Sequence, residues 1–191
     1  MTIKRLAISF LVFTVATASI AYAANKILVA KGTAITFLDT GGTAAITLSA
    51  LAAGTGCTTA CTRCSAQYTK TGANVKSQLW EMRVKAQLTG TNVLNEPIEY
   101  YVATSDGTLV QGNIATTNST IDINKRKNLT FAGILSVDQT TTNTTMVASF
   151  PNIVINEVAF QVCASNQTTL PFKTDTAVHG ITMTPMDIEV Q

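Results

Sequence analysis

The sequence predicts an all-β protein, a single antiparallel β-sandwich of jelly-roll-like type with about nine or ten short strands. Short apolar or alternating segments are separated by turn residues along the whole chain, a pattern typical of sandwiches and barrels. No segment after the N-terminal region has the period of an amphipathic helix of three turns. A length of 191 residues suits one domain.

The composition fits a β-rich domain with an uncharged polar surface. Only 13% of the residues are charged, whereas soluble domains average roughly 25%. Thr, Asn and Gln therefore cover the outer faces of the predicted sheets, as is common in exported proteins and in assemblies of packed subunits.

The first 23 residues have the three parts of a secretory signal peptide. Lys4 and Arg5 precede an apolar run, and Ala21-Tyr22-Ala23 supplies small residues at a cleavage site. We expect cleavage after Ala23, so that residues 24–191 form the sandwich domain. The alternative is an uncleaved N-terminal anchor, since the apolar run approaches the roughly 17 residues needed to span a membrane.

The charge of the predicted mature chain argues against nucleic acid as a partner. The full chain has 13 basic and 11 acidic residues, and loss of Lys4 and Arg5 leaves 11 of each, a net charge of zero. Binding to phosphates requires a clustered positive field. The one basic run, Lys125-Arg126-Lys127, is interpreted as a solvated turn before a strand.

The strand predictions follow from alternation and turn signals. The clearest is residues 80–88, where Trp80, Met82 and Val84 alternate with charged residues, so that one face is buried and the other is wet. Residues 110–123 are predicted to be a long surface loop, and a change of phase at Asn156-Glu157 predicts a bend or bulge. The other predicted strands are 27–30, 34–38, 44–51, 98–103, 129–137 (interrupted by Gly133), 146–150, the segments on either side of the bend, and 179–184.

Four cysteines, Cys57, Cys61, Cys64 and Cys163, follow the leader. An even number behind a signal peptide predicts disulfides. Of the three possible sets of pairs, Cys57–Cys61 with Cys64–Cys163 is slightly preferred. A four-cysteine zinc site is the alternative, although only one Cys-x2-Cys knuckle is present. The Cys-x3-Cys-x2-Cys spacing also occurs in radical enzymes that hold an iron–sulfur cluster, but nothing else in the chain supports such an enzyme.

The residues predict no catalytic, cofactor-binding or metal site, and therefore a protein that is not an enzyme. His179 is the one histidine, and no Gly-x-Ser-x-Gly elbow precedes it. Asp106 and Asp138 lie in predicted turns, where Asp caps its own backbone. Asn-x-Ser/Thr sequons, which become glycan sites in a eukaryotic secretory pathway, occur at Asn118, Asn128, Asn143 and Asn166.

Several runs resemble small β-rich structural proteins encoded among the virion genes of tailed bacteriophages. These runs are residues 36–42, 100–108, 125–133 with Val137-Asp138, and 184–191, and their order fits from about Lys26 to Gln191. The leader and the cysteine cluster are additions to that pattern. The resemblance implies a virion structural protein, such as a decoration or accessory subunit of the head or tail, and it implies no active-site residues.

We therefore expect a non-enzymatic virion structural or accessory protein, or an exported derivative of one. The alternative is an exported cell-surface binding module or fibre subunit, in which residues 25–34 serve as a donor strand. The expected partners are copies of the chain itself or other virion or surface subunits, with a membrane involved only through an uncleaved leader. The expected location is the virion, or the periplasm, cell surface or medium.

Overall fold

The computed structural model describes residues 27–54 and 60–190. The predicted leader and Cys57 lie outside the described residues. The chain divides into two compact units, the larger of which spans residues 31–186. The described parts of the second unit are residues 27–30 and 187–190.

The described residues confirm the all-β prediction, with 44% of the chain in strands and 10% in helix. The short helical segments are 3-10 turns at Gly72–Lys76, Gln111–Asn113 and Thr176–Val178 and one α-helical turn at Ile123–Arg126. The strands are β1 Ile27–Lys31, β2 Ile35–Leu38, β3 Ala44–Ala45, β4 Thr62–Cys64, β5 Tyr68–Thr69, β6 Leu79–Ala86, β7 Pro97–Ser105, β8 Ser119–Thr120, β9 Thr130–Ser136, β10 Met146–Val154, β11 Ala159–Asn166 and β12 Gly180–Val190.

The strands form two sheets that pack face to face. Sheet A has the order β10-β6-β12-β2-β3, with β1 also paired to β12. Sheet B has the order β8-β4-β11-β7-β9, with β5 also paired to β11. The longer strands give the orders 10-6-12-2 and 4-11-7-9, which is the double Greek key of a jelly roll. The predicted jelly-roll-like sandwich is confirmed.

Twelve strands are present among the described residues, against the nine or ten predicted, because β3, β5 and β8 are two-residue pieces. The predicted strand 44–51 is wrong beyond Ala45. Ile46 and Leu48 are buried there without regular structure, because the Asp39 carboxylate accepts hydrogen bonds from the backbone N–H groups of Leu48 (2.7 Å) and Ser49 (3.0 Å).

Two other strand predictions need correction. The predicted bend at Asn156-Glu157 is instead the connection between β10 and β11, which lie in different sheets. The change in alternation phase therefore marks the passage from one strand to the next. The register shift lies earlier, between Phe150 and Ile153. The last strand continues to Val190 instead of ending at residue 184, since Pro185 still pairs with Trp80 of β6.

The core lies between the sheets and is centred on aromatic rings. Phe160 of β11 contacts Trp80 edge-on, with ring centroids 5.2 Å apart, and Phe37 at 6.0 Å. The alternation predicted for residues 80–88 is confirmed as far as Ala86, since Trp80, Met82 and Val84 are all buried. It is wrong for Gln87, which is buried. Such aromatic contacts add about 1 kcal/mol each beyond the area they bury.

Residues 106–129 fold back over the outer face of sheet B. Val110, Ile114, Ile121 and Leu129 form a second buried cluster with side chains of β4, β7 and β11. The predicted surface loop at 110–123 is therefore partly a cover, because its few apolar residues have a sheet face to bury against. The disulfide lies under this cover, whereas the outer face of sheet A carries exposed polar side chains.

Candidate functional site

The outer face of sheet A contains a groove of about 460 Å³. It runs across β10, β6 and β12, whose outward-facing side chains alternate with the buried ones. Its lining residues are Lys31, Leu38, Glu81, Arg83, Val84, Lys85, Val147, Ser149, Gly180, Thr182 and Thr184.

The centre of the groove is a row of polar residues that lie directly opposite one another on neighbouring strands. Arg83 of β6 faces Ser149 of β10 on one side and Thr182 of β12 on the other. The Arg83 side chain is exposed, and the ion pairs found among the described residues do not include it. A guanidinium between two hydroxyls offers several hydrogen-bond donors to an anion.

The groove carries a net positive charge. The Glu81 carboxylate accepts hydrogen bonds from Lys31 Nζ at 2.5 Å and from Ser149 Oγ at 3.0 Å. These bonds, that from Lys31 above all, lower the pKa of Glu81, so it is ionised and neutralised by Lys31. The Lys85 ammonium donates to the Ala177 carbonyl at 2.7 Å, and its charge adds to that of Arg83.

The chemistry of the groove lining suits an anion, since its cationic and hydroxyl groups are hydrogen-bond donors. Its lining contains one carboxylate and neither histidine nor cysteine. Its floor depends on Gly180, where a Cβ atom would lie 2.6 Å from Cδ2 of Leu38. Among the described residues there is no group of three or more metal-ligating side chains.

His179, the histidine noted in the sequence, is buried and is not part of the groove lining. Its Nε2 is 2.8 Å from the Lys173 carbonyl, and its Nδ1 accepts the N–H of Gln87 at 3.4 Å. The ring stacks on Phe172 with centroids 5.0 Å apart. Burial lowers the pKa of His179, against the opposing hydrogen bond to Lys173. The histidine is therefore neutral and ties three segments together.

This burial predicts a pH-dependent stability. An unfolded histidine takes up its proton near the ordinary pKa of 6.5, whereas His179 in the fold does so only at lower pH. The free energy of unfolding should therefore fall as the pH drops below about 6.5 and on through the folded pKa. In urea titrations from neutral pH to about pH 5, His179→Gln should show a flatter dependence than the parent. Equal slopes for the two proteins would contradict this assignment.

The structure tests part of the predicted cysteine pairing. Cys64 and Cys163 form a disulfide between directly opposed residues of β4 and β11, 99 residues apart in the chain. The predicted presence of a disulfide is confirmed. Cys61 is buried, and because Cys57 lies outside the described residues, the Cys57–Cys61 bridge stays a prediction.

The four sequon asparagines differ in their surroundings. Asn128 and Asn143 are exposed, and Asn118 is half-buried and bonded to Thr47. Asn166 is fully buried. Its amide nitrogen donates to the carbonyls of Ala52 (3.0 Å) and Leu170 (2.8 Å). A glycan on Asn166 is incompatible with this fold.

Sequence reasoning missed two features and could have found a third. Lys70 appears in the sequence as an ordinary polar residue, yet its buried ammonium donates to the carbonyls of Ser77 (2.9 Å) and Ile155 (2.6 Å). Desolvation lowers the pKa of Lys70, against the attraction of Glu157. The structural role of Asn166 has no sequence signal either. Part of the groove could have been predicted from the sequence, since Glu81, Arg83 and Lys85 form the wet face of the predicted strand.

No protein-family model matches the chain, and no curated protein matches it. Three solved structures are similar to it at low identity. A CBM4 carbohydrate-binding module has 9% identity and a TM-score of 0.28, with 65% of this chain and 58% of that chain covered. The Israeli acute paralysis virus full particle has 11% identity and a TM-score of 0.29, with 90% and 75% covered. The Kashmir bee virus empty particle has 12% identity and a TM-score of 0.29, with 87% and 95% covered.

The chain thus spans 58% of the length of the carbohydrate-binding module. Similarities at these TM-scores carry no argument about function, and the description of the fold rests on the chain's own sheets. None of the helices in the described part of the chain is long and apolar enough to cross a membrane.

Proposed function

We propose that this chain is a non-enzymatic structural subunit that works in an oxidising compartment, of the virion accessory type that its sequence resembles. The observation that carries the proposal is the use of its buried polar groups. Lys70 and His179 form their hydrogen bonds with backbone groups, and Asn166 does so apart from one bond with the Thr168 hydroxyl. Groups committed in this way stabilise a rigid frame and are withdrawn from chemistry.

The buried disulfide supports the proposal of an oxidising compartment. Cys64 and Cys163 are both fully buried, and they join strands at the middle of sheet B. Disulfides of this structural kind persist in exported proteins and on virion surfaces and are rare in the cytoplasm. An export leader and a disulfide-linked sandwich are mutually consistent, and both fit a subunit delivered to an envelope or to a particle.

Quantitative mass spectrometry of fractionated cultures tests this proposal. The chain should appear in purified particles or envelope assemblies at a fixed ratio to their main structural protein. That ratio should survive repeated gradient purification. A chain found free in the medium, with no fixed ratio to any assembly, would overturn the structural role.

The groove favours a second candidate, an exported binding module for anionic ligands. Arg83 and Lys85 give it positive charge in a chain whose predicted mature form is neutral. The ligand class would be a polymer bearing carboxylates, held by the guanidinium and by the hydroxyls of Ser149 and Thr182.

A polyuronate is a suitable probe for this candidate. Arg83→Ala should weaken its binding, and rising salt should weaken binding by the parent protein. The matched control is Lys76→Ala, which removes an exposed cation outside the groove. Equal binding by the parent and both variants would exclude the groove as the binding site.

A further inference from the structure

The Cys64–Cys163 disulfide lies beneath the cover formed by residues 106–129. Both cysteines are 0% exposed, and they share a buried cluster with apolar side chains of the cover. Those side chains are Val110, Ile114, Ile121 and Leu129. A disulfide is reduced when a thiolate attacks one of its sulfur atoms, so the sulfur must be accessible. Reduction of this bond in the folded protein therefore requires a movement that uncovers it.

Strand β11 holds the cover on both sides of the disulfide. Its residues alternate between the core and the outer face of sheet B, so Gln161, Cys163 and Ser165 form one outward-facing row. The Gln161 Nε2 atom donates to the Ala115 carbonyl at 3.0 Å. The Ser165 hydroxyl accepts a hydrogen bond from the Arg126 guanidinium at 2.8 Å. The cover is therefore attached to β11 two residues before and two residues after Cys163.

Arg126 ties the cover to two neighbouring strands of sheet B. Its Nη1 atom lies 2.8 Å from the Glu99 carboxylate, and its guanidinium lies 5.8 Å from the centroid of the Tyr101 ring. Both of these partners belong to β7. The Arg126 side chain is only 16% exposed, so its ion pair is screened less than one on the open surface. The neighbouring Lys125 and Lys127 are exposed, so the basic run predicted to be a solvated turn is solvated only at its lysines.

The cover has less regular structure than the sheet beneath it. It contains a 3-10 turn at Gln111–Asn113, the two-residue strand β8 and a helical turn at Ile123–Arg126. Segments with few buried apolar contacts open locally at a lower free energy than the core strands. The Lys125 ammonium donates to the Asn113 carbonyl at 2.9 Å and so joins the parts of the cover before and after β8. We therefore expect the two parts to open together while the sheets stay folded.

We propose that the cover controls the access of thiols to the Cys64–Cys163 bond and that Arg126 holds it closed. When the cover opens, one thiolate of an external dithiol attacks a sulfur and expels the other cysteine as a thiolate. The second thiol then displaces the bound sulfur, so the dithiol leaves as a cyclic disulfide and the protein gains two electrons and two protons as two cysteine thiols. While the cover is closed, a bond formed in an oxidising compartment survives later contact with reducing surroundings. This control belongs to the chain itself and goes beyond the proposed structural role.

The rate at which dithiothreitol reduces the oxidised protein tests the proposal, with alkylation and peptide mapping to follow Cys64 and Cys163. The rate follows the open population when the cover recloses faster than the thiol attacks. Arg126→Ala removes the bonds to Glu99 and Ser165 and should raise the rate about tenfold. Glu99→Gln keeps the bond between Arg126 and Ser165, so it should raise the rate less, about threefold. Glu99→Gln also carries the test if thermal unfolding shows that Arg126→Ala does not fold.

Two control variants separate opening of the cover from unfolding of the whole domain. Lys127→Ala removes the exposed cation next to Arg126. Ile181→Val makes a small cavity at a fully buried residue of β12 in sheet A, which lowers global stability without touching the cover. Both variants should be reduced at the parent's rate. If reduction required global unfolding, Ile181→Val would also be reduced faster.

Limited proteolysis with trypsin gives a second measure of opening that does not involve thiols. Cleavage after Lys125 and Lys127 should be faster in Arg126→Ala, although this substitution removes one trypsin site and adds none. Three results would overturn the proposal: reduction of the folded parent as fast as that of the urea-unfolded chain, an unchanged rate in both Arg126→Ala and Glu99→Gln, or equal acceleration in Arg126→Ala and Ile181→Val. These measurements use purified protein, so their failure is distinct from a failure of the chain to appear in particles.

Discussion

Removal of the Cys64–Cys163 disulfide is expected to lower the free energy of unfolding by about 4 kcal/mol. The bond joins residues 99 positions apart. In the loop-closure account, a cross-link of this span lowers the entropy of the unfolded chain and so stabilises the fold by about that free energy. Domains of this size have roughly 5–15 kcal/mol in total. The double variant Cys64→Ala/Cys163→Ala, measured by urea unfolding, should therefore lose between roughly a quarter and four fifths of the parent's stability.

The other two cysteines provide the control. Cys57 and Cys61 are four residues apart in sequence, and a bridge between them would contribute only about 2 kcal/mol by the same reasoning. Cys57→Ala/Cys61→Ala should therefore cost clearly less than the first pair. Equal losses for the two double variants would contradict the view that β4 and β11 are held by a long-range covalent link.

Asn166→Ala is expected to be the most damaging polar substitution, with a loss of about 3–5 kcal/mol. The Asn166 amide donates to Ala52 and Leu170 carbonyls, and its oxygen accepts from the N–H and the hydroxyl of Thr168 at 3.0 and 2.8 Å. Each buried group left without a partner costs about 1–3 kcal/mol.

The matched control for this substitution is Asn128→Ala. Asn128 is another sequon asparagine, but it is exposed, and its loss should change the free energy of unfolding by less than about 0.5 kcal/mol. Urea unfolding of both variants under one set of conditions gives the comparison. A loss in Asn166→Ala as small as that in Asn128→Ala would show that the loop around Asn166 is held by other contacts.

The parts of the fold that follow a local rule were predictable from the sequence. Strand β6 alternates strictly, so the sequence alone predicts both its buried side chains and its wet face. The sandwich class followed from many such segments. The disulfide followed from the cysteine count, and one of the two preferred pairs is present.

The parts that depend on distant partners were not predictable. Residues 46–51 look like a strand, but the Asp39 carboxylate takes the backbone N–H groups that a neighbouring strand would need. The cover formed by residues 106–129 is mostly polar. Its four buried apolar residues can be recognised as core only once sheet B is known to lie beneath them. Lys70 and Asn166 each have one acceptor far away in the sequence, Ile155 and Ala52, which no local pattern indicates.

The candidate site was likewise predictable from the sequence only in part. Arg83 and Lys85 were recognisable as outward-facing residues of β6, but the groove also needs Ser149 from β10 and Thr182 from β12, and only the strand order brings these together.

The intact mass of the natively produced protein, before and after reduction, is the strongest test of a structural subunit made for an oxidising compartment. We expect a chain that begins at Ala24 and gains four hydrogens on reduction, two for each of two disulfides. A chain that begins at Met1 and gains none would contradict both the export and the disulfide-stabilised frame.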